Sequence, residues 1–166
     1  TMEQGMRLLN DLEKRLNCFC RKTQSKNTDK INLIPEGTEY KPSKYDLVHS
    51  LAFDETALNI AATGSLYPDH VVFLGPGPMP IMTESEAADY LSLPSKEIGA
   101  NQKAIIIPEC GVIVHKSLSE GAEVMLHCLA NTLLRIQPHS NLRYLSHEEE
   151  AELTNWDAEK HRKKIQ

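Results

Sequence analysis

Apolar positions recur along this chain at two periods, and the change from one to the other marks its elements. Both periods appear in succession between Lys103 and Ile136. Lys103-Ala-Ile-Ile-Ile-Pro is a continuous β-branched run ending at a proline, the pattern of a buried strand. Pro108-Glu109-Cys110-Gly111 reads as a tight turn in which Gly111 can take a positive φ, and Val112-Ile113-Val114-His115 gives a second strand. A spacing of three and four then takes over through Ala122, Met125, Leu126, Leu129, Ala130, Leu133 and Ile136. That is one stripe of an amphipathic helix, stopped by Pro138. Ser117 and Glu120 fit an S-x-x-E capping box at its start.

The same reading extends to both sides. Met2, Met6, Leu9, Leu12, Leu16 and Phe19 form the stripe of a first helix within residues 1–20, the tail of a preceding domain or a connection to one. Residues 21–45 read as linker and extended coil. The part from Arg21 to Lys30 has no aliphatic or aromatic residue, and Pro35, Gly37 and Pro42 follow. Residues 46–166 then form the α/β domain. Leu47, Val48 and Leu51 have helical spacing, and Asp54 caps a short helix through Ala61 that Gly64 ends. His70-Val71-Val72-Phe73-Leu74 reads as a strand, broken by Gly75-Pro76-Gly77-Pro78, with Met79 to Met82 as a short return strand. Thr83 to Leu91 is a helix capped by Thr83 or Ser85, and Pro94 and Gly99 bracket a loop. Ser146 and Glu149 form a capping box for a last helix to about Lys164, with Leu153 and Trp156 inward. The fold class that follows is α/β: a small mixed β-sheet covered by helices in a layered sandwich.

Composition narrows the function more than it names it. With 166 residues, 40% hydrophobic and 25% charged, the chain can bury one core. The net charge of -5 argues against a nucleic-acid or anionic-membrane surface, and the basic run Lys160 to Lys164 reads as a solvated helix end. No apolar run is long enough to span a bilayer and no secretory segment opens the sequence. Cys18, Cys20, Cys110 and Cys128 lack C-x-x-C spacing, so they read as reduced thiols and the expected location is cytoplasmic.

Four residues make a candidate pocket: Asp69, His70, Cys110 and His115. Asp69 and His70 stand beside a turn at one end of the expected strand, where ligand groups often sit, and the plainer reading is a turn cap and a packed ring. His115 ends the hairpin and could face the same edge. Cys110 sits in the tight turn with neither a base nor a cation beside it in sequence. His127 shares the polar flank of the long helix with Glu120 and Glu123, the pattern of a solvated pair more than of a metal site. Gly75-Pro-Gly-Pro lacks the free N–H groups and the following helix of a phosphate cradle, and reads as a rigid turn.

Ser65 to Pro76, SLYPDHVVFLGP, resembles a segment in the C-terminal part of class II aldolase/adducin family proteins. Lys103 to Ile136 looks like the segment that follows there. Leu145 to Lys164 is similar to the region joining aldolase to dehydrogenase in the bifunctional rhamnulose-phosphate aldolase–dehydrogenase proteins. The resemblance implies a metal-dependent lyase of sugar metabolism, acting on a small phosphorylated sugar. Zinc held by histidines would serve as Lewis acid, and an acidic residue would move the proton. None of the seven histidines here forms the family's H-x-H pair, and Cys110 stands where simple aldolases tend to carry histidine before glycine. Zinc is therefore expected in the full family enzyme and no cofactor in this chain. The resulting expectation is a C-terminal, non-catalytic domain whose partner is an N-terminal aldolase domain or a second copy of itself. The alternative is a complete small protein that binds a ligand or partner without catalysis. A weaker reading has Asp69, His70 and His115 as a general acid/base set.

Overall fold

The computed structural model describes residues 2–16, 20–21, 37–93 and 103–155. Within these, three short strands form one sheet: β1 (Tyr40–Pro42), β2 (Ala104–Ile107) and β3 (Gly111–His115), in the order β1-β3-β2. Both pairings are antiparallel, with Ile105 opposite Ile113 and Lys41 opposite Val114. The expected return strand near Met79 to Met82 is a single parallel bridge, Ile81 to Ile106, held by Met82 N–H to Ile106 O and Ile106 N–H to Pro80 O.

Alternation along the strands sets the layers. Ala104, Ile106, Val112 and Val114 turn to one face, in a core with Val48, Leu51, Ile60, Val72, Leu126 and Leu129. Ile105, Ile107 and Ile113 turn to the other, with Tyr40, Ala87 and Leu91. The sheet thus lies between a helical layer of α2 (Asp46–His49), α3 (Glu55–Ala61), α4 (Pro68–Leu74) and α6 (Glu120–Arg135), and the single helix α5 (Glu84–Leu91). The α/β layered class follows directly. All four residues of β2 are buried, which is why it reads as an unbroken apolar run in sequence.

Local chemistry explains the helix starts. Asp54 Oδ1 accepts Ala57 N–H at 2.7 Å, capping α3 as its position implies. Thr83 and Glu86 form a complete capping box on α5. Ser146 and Glu149 do the same ahead of α7 (His147–Asn155), with Ser146 N–H to Glu149 Oε2 at 2.9 Å. The cap of α6 corrects the sequence reading: it is Ser119, whose Oγ accepts Ala122 N–H, not Ser117. Ser117 is taken up at the hairpin end by His115, and Leu118 must be buried before the helix begins.

Residues His70 to Leu74 are helix, not strand. Pro68 stands in the first turn, where its missing N–H costs nothing, and Asp69 follows in the first turn of α4. His70 through Leu74 are all buried, so the run shows no period by which a helix could be told from a strand.

Helix α1 (Met2–Leu16) differs from the others. Its apolar side chains face outward: Met2 is 89% exposed, Met6 57%, Leu8 63%, Leu9 58% and Leu12 45%. The expected continuation of α1 through Phe19, the coil from 22 to 36, the loop from 94 to 102, and Trp156 with the basic end lie outside the described residues. No described helix is long and apolar enough to cross a membrane.

Candidate functional site

The four candidate residues occupy two separate places. Asp69 and His70 belong to α4, on the helical side of the sheet. Cys110 and His115 lie on the other side, at the two ends of β3. Five residues of extended chain separate them, about 17 Å. Cys110 Sγ is 3.8 Å from Glu84 Oε2, which ties the hairpin turn to α5. His115 Nδ1 accepts Ser117 N–H at 3.1 Å, lies 2.6 Å from Ser117 Oγ, and turns its ring against Tyr40 with centroids 5.1 Å apart. The Tyr40 hydroxyl faces that of Tyr90 at 3.5 Å. Burial, with Tyr90 beside it, raises the Tyr40 pKa above the ordinary phenol range.

His70 is 2% exposed, and neither ring nitrogen has a hydrogen-bond partner among the described residues. Its ring meets Tyr67 edge to face at 6.1 Å. Burial pushes its pKa down to about 4, and the nearby Glu150 carboxylate acts in the opposite direction. His70 is therefore a neutral imidazole at pH 7, enclosed by α4 and its neighbours.

His127 is also placed differently from the sequence reading. Its ring lies on Tyr45 at 4.8 Å and beside the Asn131 amide. Glu123, read as part of an exposed flank, is 3% exposed. Its Oε1 accepts Lys44 N–H at 2.8 Å and the Ser43 hydroxyl at 3.3 Å, so it ties α6 to the segment after β1. Glu120 is the exposed member and pairs with Lys44 Nζ at 3.0 Å.

Three polar residues that the sequence did not single out hold the interior together. His49 lies with Nε2 2.9 Å from Ser43 O, and its Nδ1 accepts Val112 N–H at 3.1 Å, which fixes the proton on Nε2. Ser65, fully buried, and Glu150, 5% exposed, converge on the Gly-Pro-Gly-Pro turn. Gly77 N–H donates to both Ser65 Oγ at 3.0 Å and Glu150 Oε1 at 2.8 Å, while Ser65 Oγ donates to Gly77 O at 3.2 Å. Gly77 has φ +83, which a residue with a side chain rarely adopts. The turn is rigid, as its prolines imply, and it is bonded to α7 by a buried carboxylate. The one sequence signal for Glu150 is its position four residues after the capping Ser146, on the side of α7 that turns inward.

Among the described residues no three His, Cys, Asp or Glu side chains converge to hold a metal ion. His49, His70, His115 and His127 each have separate surroundings, and the buried carboxylates Glu123 and Glu150 accept backbone N–H groups. The donor set among the described residues does not fit the zinc site that the family resemblance implies.

The described residues also form concave regions. One, of about 440 Å³, lies between α3 and the 136–144 connection, with Asn59, Thr63, Gln137 and His139 at its rim. Another, of about 600 Å³, is an apolar groove between Pro68 and α7, with Leu145 and Leu153 in its wall. No protein-family model, curated protein or solved structure matches this chain.

Proposed function

We propose that this α/β unit is a non-catalytic supporting layer of a class II aldolase-type protein. In this reading, metal-dependent aldol cleavage of a small sugar phosphate takes place on another unit, against which α1 packs. The observation that carries the reading is the outward apolar stripe of α1, five large side chains between 45% and 89% exposed. A contiguous apolar patch of several hundred Å² marks a surface that another protein covers. Two features support it: the SLYPDHVVFLGP and Lys103–Ile136 resemblances, and the bonding of the buried Glu123, Glu150 and His49 side chains to backbone groups.

The test compares two proteins in zinc-supplemented buffer, this chain alone and the same chain covalently preceded by a unit carrying an H-x-H segment. Sugar-phosphate cleavage and bound zinc are measured on both. The expected result is turnover and stoichiometric zinc in the longer protein only. Cleavage by the isolated chain would overturn the proposal. Leu9→Glu and Leu12→Glu in the longer protein are expected to loosen the two units, read as faster proteolysis between them.

A further inference from the structure

We propose that the cleft between α3 and the 136–144 connection is a binding site for a small uncharged polyol. Its volume of about 440 Å³ lies within the range of small-molecule sites. Asn59 stands on α3, and Thr63 follows just past its end, with its hydroxyl donating to Asn59 O at 2.7 Å. Gln137 faces them from the opposite rim. The Asn59 and Gln137 amides have no hydrogen-bond partner among the described residues. An amide offers a donor and an acceptor together, the same pair that each ligand hydroxyl presents.

The floor and wall suit the carbon skeleton of such a ligand. Ile60 and Leu142 provide an apolar base, and the Tyr144 ring stands at one side. That ring packs over Gly64, where an added Cβ would be in ordinary contact, 3.5 Å from Tyr144 Cδ1. The far rim is held in an uncommon backbone form. His139 has φ +63, and Ser140 donates both its N–H, at 3.2 Å, and its hydroxyl, at 2.8 Å, to Gln137 O.

Charge selects within the polar class. Among the described residues Glu55 lines the cleft and no lysine or arginine does, and Arg21, which reaches Ile136 O at its edge, is paired with Asp54. A phosphate ester would meet the Glu55 carboxylate while the Arg21 guanidinium is already taken up by Asp54, so the neutral ligand is favoured.

The experiment is an amide-resolved NMR titration of the whole chain with glucose and, separately, with glucose 6-phosphate. Glucose is expected to shift the amides of 55–63 and 137–144 saturably, with a Kd tighter than about 10 mM, and the phosphate to bind about tenfold or more weaker. The double substitution Asn59→Leu, Gln137→Leu, both at exposed positions, is expected to remove the glucose response and leave the thermal midpoint in place. Absence of saturable shifts in these segments with glucose, or equal or tighter binding of the phosphate, would overturn the proposal.

Discussion

Arg21 and Asp54, 33 residues apart, meet with Nε 2.6 Å from Oδ2, both side chains more than four-fifths buried. The same guanidinium donates to Leu133 O at 2.8 Å and to Ile136 O, while Arg21 N–H donates to Leu134 O at 3.0 Å. One side chain therefore joins the N-cap of α3 to the last carbonyls of α6. Leu133 O also accepts Ile136 N–H at 3.3 Å, and a cation at a helix C-terminus is favoured by the helix dipole.

Replacing Arg21 by Lys keeps the charge and loses the planar fork that reaches three acceptors at once. Arg21→Lys is expected to cost about 1–2 kcal/mol, and Arg21→Ala about 3 kcal/mol, because it leaves Asp54 without its buried cation. Asp54→Asn keeps an oxygen for Ala57 N–H and should cost less than Asp54→Ala, which loses cap and ion pair together. Urea unfolding of the four variants checks the order, and a double-substitution cycle that gives no coupling between Arg21 and Asp54 would refute the account.

Which parts of this molecule were legible in sequence follows from the range of the forces that fix them. The Ser146 box, the Asp54 cap, the 104–115 hairpin and the α6 stripe depend on residues a few positions apart and stand where the sequence puts them, and of the two caps read for α5 the structure uses Thr83. The run His70 to Leu74 misled because burial on every side erases periodicity, leaving β-branched content to outweigh Pro68 and Asp69. The sequence reading put the α6 cap at Ser117, but His115 takes up that serine at the hairpin end and Ser119 caps the helix. Glu123 on Lys44 N–H, 79 residues away, and Glu150 on Gly77 N–H, 73 away, depend on tertiary contacts that no local pattern carries. The candidate pocket failed to assemble for the same reason: sheet faces, not sequence order, decide which residues meet.

His70 predicts an acid-sensitive fold. The unfolded imidazole takes up a proton near pH 6.5 and the folded one near 4, so between these values the unfolded state holds more protons. Stability is unaffected by this group above 6.5, falls as pH drops through the window, and is lower by about 3 kcal/mol once pH is below 4. His70→Leu removes two buried nitrogens that lack partners, and is expected to unfold no more readily at pH 7 and to flatten the decline between pH 6.5 and 4. An unchanged acid limb in unfolding midpoints measured across that range would count against the burial account.

Gly77 and Glu150 are expected to fail together. Gly77→Ala forces a Cβ onto a backbone at φ +83 although the space around it is open, so strain alone sets a cost of about 1–2 kcal/mol. Glu150→Ala leaves Gly77 N–H with Ser65 Oγ as its remaining acceptor and detaches the turn from α7, at about 1–3 kcal/mol. Because both act on one turn, the double substitution should cost less than the two single costs added, measured by thermal unfolding. Full additivity would mean that the turn and α7 are held independently.

Glu123 tests whether the buried carboxylates of α6 are structural anchors or chemical groups. Its Oε1 is the acceptor for Lys44 N–H, a half-buried backbone donor that loses this partner if the oxygen is removed. Glu123→Gln preserves an oxygen at that position, and the Ser43 hydroxyl can rotate to suit it, so a loss of about 1 kcal/mol or less is expected. Glu123→Ala leaves the donor unsatisfied and opens a gap beside Ser43, with an expected loss of about 2–3 kcal/mol. Amide exchange at Lys44 gives the direct readout. It should stay slow in the Gln variant and become fast in the Ala variant, since α6 would no longer hold the segment leading from β1 into α2. Equal exchange in both variants would show that the carboxylate is not what secures this segment to the long helix.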